Sequence, residues 1–514
     1  MKSGDYKHVF FLPVPDEGGR ALLLGVELPA LERALEDLGA SVDRAPEEGA
    51  SYDLVVAEPP ETGRAAGAFL DRLNGLLAEG GFAAVLARRG IRRPKPRGLA
   101  AAGAYASIPG PRNPSVVVPV SDARPLSFLL SRFPDFSSAR QAVRRAARLI
   151  VRLGFQKPLF KHLVHIFRRE GAGVREPGML AAVRDAATKA LGAPSLAVSI
   201  VTRVEVETPA VLYFFFEPGR RDPSIVAKAA SGPGRNDELR RERDNLESVH
   251  ALLEGPLQRS VPAVRGSGEW RGRFYYLQDF AGGRMLPPSL DAGPLGLGRG
   301  RAAADLDRAW DWLLRFQSAT AAGSRRIADL GIRDAIARYR DAYGDGEDDR
   351  RCLAWISAEL ERHGGRNAPL CASHGDLFPG NVLLGESGVA VVDWRYFRRA
   401  HHACFDVMTL VSTLGATGGT DGVERVFAGP HWANAFFRER FGAFLAANGL
   451  GADLFVFLSA AALLEMSVRE HAETGRSGEK DAAWRRRLVR FLDIKDRIAV
   501  ASARRADPWE RSDR

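Results

Sequence analysis

The first third of the chain alternates between two hydrophobic periods, one typical of strands and one typical of amphipathic helices. Short apolar runs predict strands at Ala21–Gly25, Tyr52–Ala57 and Phe82–Leu86, and helical spacing predicts helices at Pro29–Leu38 and Ala66–Leu77. Strands that alternate with helices are typical of a parallel sheet covered by helices. We therefore expect residues 1–130 to form a Rossmann-like α/β domain.

A basic stretch follows over residues 131–188. Ser138–Leu153 carries arginines beside apolar residues at helical spacing, and Pro158–Phe167 carries a lysine and two histidines among apolar residues, which predicts two basic amphipathic helices. Such helices pack on a neighbouring domain or lie on an anionic membrane surface. We expect a helical connector that packs on a domain, with peripheral membrane contact through residues 138–167 as the alternative.

The pattern changes again after residue 188. β-rich runs separated by turn residues predict an antiparallel meander, then a helix and a further strand that ends near Gly282–Gly283. Helices and a short hairpin dominate beyond that point. The predicted elements are strands at Ala197–Val206, Ala210–Phe216, Ser224–Ala229 and Phe274–Phe280, and helices at Asn236–Leu253, Ala302–Thr320, Cys352–Arg362 and Leu454–Leu464.

The strongest chemical signal is SHGDLFPGNVLL, Ser373–Leu384, followed by VVDW, Val391–Trp394. It contains the H-x-D-x-x-x-x-N spacing of a kinase catalytic loop, and two short strands then lead to a second carboxylate. Asp376 fits a catalytic base, while Asn381 and Asp393 offer the oxygen ligands that Mg²⁺ prefers. Gly380 is expected to allow a tight turn before Asn381. The pattern predicts phosphoryl transfer.

These residues resemble the fingerprint of the aminoglycoside phosphotransferase and choline kinase-like superfamily. The resemblance implies a bilobal protein-kinase-like fold over residues 189–503, with an N-lobe at 189–283 and a C-lobe at 284–503. It also implies ATP and Mg²⁺ as cofactors and a small-molecule hydroxyl as acceptor. In that family an aspartate matching Asp406 braces the catalytic loop, and His374 is expected to brace the loop as well. Residues 504–514 are expected to form a polar tail.

The resemblance also nominates residues that bind ATP. Lys228, in SIVAKA, matches the strand lysine that contacts the phosphates, and Glu242 is expected to pair with it, with Glu238 one turn earlier as the competitor. Backbone groups near Gln278 to Phe280 are expected to meet adenine. The phosphate loop departs from the pattern, because no glycine lies between Ser199 and Ala210. A non-catalytic nucleotide-binding or scaffolding protein therefore remains an alternative.

Composition changes this picture little. The 514 residues carry a formal net charge of +10, but the excess is scattered arginine, so nucleic-acid binding is not expected. Three cysteines without CxxC spacing argue against a disulfide framework or zinc site, and the start lacks a signal peptide, so we expect a cytoplasmic protein. The acidic segment Asp341–Asp349 is either a solvated loop or an attractor for a cationic substrate. Sugars, amino sugars and amino alcohols all fit as acceptors.

The first domain carries a second resemblance. YDLVVAEPP followed by LNGLLAEGGFAAVLARR resembles the second half of class I S-adenosylmethionine-dependent methyltransferases. The cofactor half lacks its glycine-rich loop after ALLLG, and too few residues separate Gly25 from Tyr52 for the usual intervening units. We expect a degenerate, non-catalytic domain, with a bifunctional methyltransferase-kinase as the alternative.

Overall fold

The protein is described as a computed structural model. The structure describes residues 3–59, 63–88, 98–108, 114–132, 147, 149–151, 162–169, 178–202, 210–287, 290, 299–344, 346–415, 422–429, 431–474 and 482–503. The chain divides into two compact units. The first contains Met1–Arg243 and Ala263–Phe280, and the second contains Asp244–Pro262 and Ala281–Arg514.

The first unit begins with the predicted alternation of strand and helix. After a 3-10 helix, Ser3–Phe10, come β1 Arg20–Leu24, α1 Pro29–Asp37, β2 Ser41–Asp43, β3 Tyr52–Ala57, α2 Gly63–Leu76 and β4 Leu77–Arg88. Strands β2, β1, β3 and β4 are neighbours in that order, and each pair is parallel. The predicted parallel arrangement of these strands is confirmed. The stretch between β1 and β3 contains one helix and a strand of 3 residues.

The next elements correct the predicted connector. They are β5 Leu99–Ile108, β6 Val116–Pro119, α3 Ala123–Arg132, β7 His162–Arg169 and α4 Met179–Leu191. Strand β7 pairs antiparallel with β4 and with β5 in the middle of the sheet. The helix predicted over Pro158–Phe167 is therefore wrong from His162 onward. Four consecutive residues of β7, Val164 to Phe167, are buried, because a central strand is covered on both faces and its apolar run carries no alternation.

The predicted meander completes this sheet. It comprises β8 Ala197–Val201, β9 Ala210–Phe216, β10 Ile225–Ala230, β11 Val264–Trp270 and β12 Arg273–Asp279, all paired antiparallel. Helix α5, Asn236–Leu252, follows β10 after a 3-10 helix, Pro233–Arg235. The order of these strands is β11-β12-β10-β9-β8, so β8 would have a free edge if the meander stood alone.

Strand β6 covers that edge. It pairs antiparallel with β8, and Thr202 extends the contact by donating to the carbonyls of Ser115 (2.8 Å) and Pro114 (2.5 Å). The result is one sheet of 12 strands, with the order β11-β12-β10-β9-β8-β6-β5-β7-β4-β3-β1-β2. One of its core clusters reaches from the front strands to the meander, and there the carbonyl of buried Phe10 accepts a hydrogen bond from the Tyr213 hydroxyl (3.0 Å). The boundaries predicted at residues 130 and 188 thus fall inside a continuous sheet.

The second unit is mainly helical. Its helices are α6 Gly255–Gln258, α7 Arg299–Ala319, α8 Ile332–Tyr343, α9 Glu347–His363, α10 Cys404–Thr413, α11 Gly422–Phe427, α12 Trp432–Asn448, α13 Ala452–Thr474 and α14 Ala483–Ala503. Its strands are β13 Arg284–Met285, β14 Ser324–Arg326, β15 Asn367–Ser373, β16 Val382–Gly385, β17 Gly388–Val391 and β18 Arg398–His402. Strands β13, β16 and β17 form one small sheet, and β14, β15 and β18 form another.

An aromatic core holds the helices of this unit together. The ring of Trp310 on α7 lies 5.7, 5.6 and 6.4 Å from those of Phe437, Phe441 and Phe444 on α12. The apolar run predicted as a buried helix lies in α13 and is buried. No single helix of the described ranges has the length and apolarity of a membrane span; α12 and α13 reach them only as a pair, bent by 100°. All three cysteines are free and buried.

Candidate active site

The predicted catalytic loop begins where β15 ends and is held by one buried carboxylate. Asp406, in the first turn of α10, accepts hydrogen bonds from Ser373 Oγ (3.0 Å), from the His374 N–H (2.6 Å) and from the Gly375 N–H (2.9 Å). Asp406 is 2% exposed, so the donors and the acceptor are all shielded from water. Because a buried N–H without a partner is costly, this convergence fixes the loop backbone. The structure puts Asp406 in the bracing position that the resemblance implied.

The loop requires a glycine at Gly375. Its φ is +80°, in the left-handed region, and a Cβ added there would lie 2.3 Å from the carbonyl oxygen of Tyr396. Gly380, to which the sequence assigned the tight turn, lies in a 3-10 helix, Pro379–Asn381, and has no positive φ. The left-handed position of the loop is therefore Gly375, which precedes the predicted base directly.

His374 braces the loop from inside. Its Nδ1 accepts a hydrogen bond from the Asp376 N–H (3.2 Å), so Nε2 carries the proton and donates to the carbonyl of Val392 (3.0 Å). The imidazole ring also packs edge-on against Trp394, with 4.6 Å between the centroids. Both ring nitrogens are therefore occupied by the backbone. Such an imidazole positions the loop and has no nitrogen left to act as a base.

Asp376 lies at the end of this braced segment and contacts an arginine that the sequence analysis missed. Arg469 of α13 donates from Nη2 to Asp376 Oδ1 (3.0 Å) and from Nη1 to the carbonyl of Gly375 (2.5 Å). Burial raises the pKa of Asp376; the charge of Arg469 opposes that shift, whereas Asp393 adds to it. The Asp376 side chain remains 19% exposed, so the carboxylate is not sealed off from solvent.

The predicted metal ligands sit at one end of a hairpin. Strands β16 and β17 pair antiparallel, and the Val392 N–H donates to the carbonyl of Asn381 (3.0 Å), which brings Asn381 beside the residue that precedes Asp393. The Asn381 amide donates to the carbonyl of Asp376 (3.0 Å), so its Oδ1 is the amide atom left for a cation. An amide oxygen next to a carboxylate is a donor set that suits Mg²⁺.

Asp393 adopts a strained backbone. Its φ is +68°, a region that non-glycine residues rarely occupy. The backbone after it is held by Asn245 of α5, which donates from Nδ2 to the carbonyls of Trp394 (3.1 Å) and Arg395 (3.0 Å). Strain at a carboxylate that its surroundings hold in place is typical of functional sites. The strained backbone therefore favours a functional role for Asp393, but it does not say which role.

The turn of the same hairpin is also held by a side chain. Arg308 of α7 donates from Nη2 to the carbonyls of Gly385 (2.5 Å) and Gly388 (3.0 Å). These two residues pair at the closed end of the hairpin. The hairpin is thus anchored at its turn by Arg308.

The predicted phosphate-binding lysine is paired as expected. Lys228 of β10 donates to Glu242 of α5, and the two side chains are 12% and 5% exposed. The competitor, Glu238, pairs instead with Arg235, the last residue of the 3-10 helix before α5 (3.1 Å). Because a buried lysine is held charged by its carboxylate partner, the pair keeps the ammonium group in one place. The geometry distinguishes Glu242 from Glu238, which the sequence register alone did not.

A scan against family models assigns this region. Residues 212–443 match the model of the phosphotransferase enzyme family, APH. This part of the chain, somewhat less than half of its length, resembles a domain of that family. The match confirms the predicted resemblance and the predicted class of enzyme, a phosphotransferase. The matched residues include Lys228, Glu242, Asp376, Asn381 and Asp393. No curated protein matches the chain.

Solved structures of low identity resemble the phosphotransferase domain. The aminoglycoside phosphotransferase APH(4)-Ia, in a ternary complex with AMP-PNP and hygromycin B, is 14% identical, covers 63% of this chain and 99% of its own, and has a TM-score of 0.39. A putative fructosamine-3-kinase from Thermobifida fusca is 18% identical, with coverage of 63% and 99% and a TM-score of 0.40. A choline/ethanolamine kinase family protein from Mesorhizobium loti is 13% identical, with coverage of 62% and 98% and a TM-score of 0.37. Identities of this size do not identify a substrate.

The predicted adenine contacts remain a prediction. The Asp279 N–H donates to the carbonyl of Ala263 (2.9 Å), and the Phe280 N–H donates to that of Ser224 (3.1 Å), so both donors are used within the sheet. Gln278 is buried and accepts a hydrogen bond from the Tyr276 hydroxyl (3.2 Å). The glycine-free phosphate loop, residues 203–209, lies outside the described residues.

The acidic segment before the catalytic loop does not present all its charges to solvent. Asp349 is 2% exposed and accepts two hydrogen bonds from Arg485 of α14, both 2.8 Å, and one from the Tyr339 hydroxyl (2.7 Å). This carboxylate is neutralised by a buried arginine and joins three helices of the phosphotransferase domain. Asp349 is therefore excluded as an attractor for a cationic substrate.

The histidines near α10 are structural. His401 contacts Glu465 through Nε2 (3.1 Å), and burial lowers the pKa of His402 well below its usual value, so His402 is neutral. Within the described ranges, no group of three or more His, Cys, Asp or Glu side chains could hold a metal ion. The contacts of the two histidines are those of packing at the start of α10.

Proposed function

We propose that this chain transfers the γ-phosphoryl group of ATP to a hydroxyl of a small molecule, with Mg²⁺ as the metal. One observation carries the proposal: Asp376, Asn381 and Asp393 lie on a loop and hairpin whose backbone is braced by the buried side chains of Asp406 and His374 and by partly buried side chains at the hairpin. Phosphoryl transfer asks the protein mainly for positioning and charge stabilisation, which such bracing supplies. The match of residues 212–443 to the phosphotransferase enzyme family supports the same reaction class.

Each residue has a defined role in this proposal. Asp376 orients the acceptor hydroxyl and accepts its proton, while Asn381 and Asp393 hold the metal through oxygen atoms. Lys228 binds phosphate oxygens of ATP, and Glu242 keeps its ammonium group charged and oriented. When bound, Mg²⁺ would supply positive charge that balances the negative charge on the phosphate oxygens of ATP. Gln278 and Phe280 remain proposed neighbours of adenine through backbone groups other than the N–H of Phe280.

The acceptor is proposed to be a sugar, an amino sugar or an amino alcohol. The acidic segment gives no support to a cationic acceptor over the others, because its buried carboxylate, Asp349, is paired with Arg485. In this proposal, residues 189–503 carry the catalytic and nucleotide-binding residues. Residues 1–188 support this domain structurally and catalyse no reaction. A cytoplasmic location is part of the proposal, supported by three buried, free cysteines.

Two alternatives lead to different results. A non-catalytic nucleotide-binding protein would keep the Lys228–Glu242 pair but would not need strain at Asp393. A bifunctional methyltransferase-kinase would need a cofactor site in residues 1–130. There, Asp53 is already used to accept a hydrogen bond from the Arg20 N–H (2.8 Å), and helix α1 follows β1 without a glycine-rich loop.

Thermal stability with ligands tests the proposal. A ligand that binds only the folded state stabilises it by about 2.7 kcal/mol at a concentration of 100 Kd. We expect Mg²⁺-ATP to raise the melting temperature of wild type and of Asp376→Asn, but not of Asp393→Ala, and S-adenosylmethionine to have no effect. Asp334→Ala is the matched control, because Asp334 is exposed on α8 and far from the catalytic loop in sequence.

Turnover then separates an enzyme from a nucleotide-binding scaffold. With a panel of sugars, amino sugars and amino alcohols, wild type and Asp334→Ala should form ADP, whereas Asp376→Asn should bind nucleotide without turnover. Nucleotide binding without turnover in wild type on any acceptor would favour the scaffold. Absence of any Mg²⁺-dependent shift with ATP would contradict both readings.

A further inference from the structure

Helix α13 supplies a side chain that acts on the catalytic loop from outside the family motif. The guanidinium group of Arg469 makes two contacts with consecutive residues of the loop: Nη1 to the carbonyl of Gly375 and Nη2 to Asp376 Oδ1. The Arg469 side chain is 18% exposed, so both contacts are largely shielded from water. A planar guanidinium that bridges a carbonyl and a carboxylate restricts the direction in which the carboxylate points.

Arg469 is itself held in place before any substrate binds. Its guanidinium carbon lies 4.0 Å from the centre of the Tyr396 ring, in cation–π geometry. The Tyr396 hydroxyl bonds to Glu473, one turn further along α13, and Glu473 lies 3.8 Å from Arg469 Nε. Because ring and carboxylate fix the arginine, little side-chain entropy is lost when it contacts the loop.

The two oxygens of Asp376 are therefore not equivalent. Oδ1 accepts the hydrogen bond from Arg469, whereas Oδ2 takes part in no hydrogen bond with the residues that the structure describes. The same guanidinium also donates to the carbonyl of Gly375, and this hydrogen bond keeps the peptide group before Asp376 from rotating. Only Oδ2 is then presented in a fixed direction.

We propose that Arg469 is the positioning residue of the base: it occupies Oδ1 and clamps Gly375, so that Oδ2 alone meets the acceptor hydroxyl. The proposal rests on the proposed function. In the transfer step the acceptor oxygen forms a bond to the γ-phosphorus, the bond between the γ-phosphorus and the β,γ-bridging oxygen breaks, ADP leaves, and the acceptor proton passes to Oδ2. Arg469 touches none of the reacting atoms.

The test compares variants that keep different numbers of the hydrogen bonds between residue 469 and the catalytic loop. Arg469→Met keeps a long side chain near Tyr396 but removes both hydrogen bonds, and Arg469→Lys keeps one charged donor. Because misplacing a catalytic group by about 1 Å can cost roughly 100-fold in rate, we expect kcat to fall by about that factor in Arg469→Met with the KM for ATP unchanged. Arg469→Lys should lie between Arg469→Met and wild type.

The matched control is Arg366→Met. Arg366 lies just before β15, pairs with Asp453 in the first turn of α13 (2.8 Å) and also contacts His363 (3.1 Å). Its loss removes a charge of the same sign from contact with α13, at the end of the helix opposite to Arg469. Its kcat should equal that of wild type. Millimolar guanidinium should restore part of kcat to Arg469→Ala and should leave the kcat of Arg366→Met unchanged. A general effect of guanidinium on folding would not raise the activity of Arg469→Ala alone.

Hydrogen exchange gives a readout that needs no acceptor. The amides of residues 374–381 should exchange faster in Arg469→Met than in wild type and Arg366→Met, both with and without Mg²⁺-ATP. If wild type turns over and both Arg469→Met and Arg469→Lys keep its kcat, the positioning role is overturned while the proposed function stands. Amide exchange that is unchanged in both variants would overturn the positioning role in the same way. Wild type without Mg²⁺-ATP turnover on any acceptor would overturn the proposed function and, with it, this role in transfer.

Discussion

Asp406→Asn tests whether the catalytic loop depends on its buried brace. The carboxylate accepts from Ser373 and Gly375 at Oδ1 and from His374 at Oδ2. Asparagine has the same shape, but one of its two terminal atoms becomes an NH₂ donor. Whichever way the amide is turned, at least one backbone N–H of the loop faces a donor and loses its acceptor.

The cost follows from burial. Each buried donor left unsatisfied costs about 1–3 kcal/mol, and the remaining hydrogen bonds lose the assistance of a charged acceptor, so we expect a loss of about 2–4 kcal/mol in the free energy of unfolding. Urea unfolding followed by tryptophan fluorescence measures it, since Trp394 packs on His374. Activity should fall as well, because the loop that carries Asp376 is no longer fixed. A loss no larger than that of the exposed control Asp334→Asn, about 0.5 kcal/mol or less, would refute the reasoning.

Three further changes have separate physical causes. Gly375→Ala should abolish turnover and lower the melting temperature, because a Cβ would collide with the carbonyl of Tyr396; Gly388→Ala, whose Cβ would meet nothing, is the control for a left-handed glycine. Burial raises the pKa of Glu465, but the hydrogen bond and charge of His401, together with the charge of Arg398, outweigh it and lower the pKa to about 2. Because that value lies below the unfolded value of about 4.3, its stabilisation is present above about pH 4 and lost as the pH falls towards 2, so Glu465→Gln should flatten the acid arm of a pH-stability curve. Deleting residues 1–188 should yield aggregated protein by size-exclusion chromatography, and a monodisperse, folded product would contradict the shared sheet.

The sequence was sufficient where the chemistry is local. The spacing from His374 to Asn381 lies in one loop, and the two short strands that follow place Asp393 at the end of the hairpin. The register of α5 nominated Glu242, and the structure pairs that residue with Lys228. Each of these inferences depends on neighbours a few positions apart, or on one strand and the helix that follows it.

Contacts made across long stretches of chain were not predictable in this way. Arg469 reaches Asp376 from a helix near the end of the chain, and no spacing rule connects the two. One signal was present: Arg469 lies one turn beyond the apolar run Leu454–Leu464 that predicts a buried segment, and a charge at that place needs a partner. Asp349 was misjudged for the same reason, since its neutralising partner, Arg485, lies on another helix.

Strand β7 shows how the tertiary environment overrides a local pattern. Its arginines and apolar residues fit a basic helix by spacing, but the sheet gives its backbone partners on both sides, β4 and β5. A central strand that is buried on both faces does not alternate between apolar and polar residues, so the period of two that identifies a half-buried strand is missing. Where β7 pairs is decided by strands more than fifty residues away in sequence, which no window along the chain includes.

The pairing of β6 with β8 gives the front of the chain a role that needs no cofactor. An uncovered β8 would expose a row of backbone donors and acceptors, which is a template for aggregation. Strand β6 satisfies that edge, and the buried contact between Phe10 and Tyr213 fastens the two parts of the sheet through their core. The loss of a glycine-rich loop after β1 removes a means of binding a cofactor, but it leaves these contacts intact. The residues before 189 can therefore be indispensable to the phosphotransferase domain while catalysing nothing themselves.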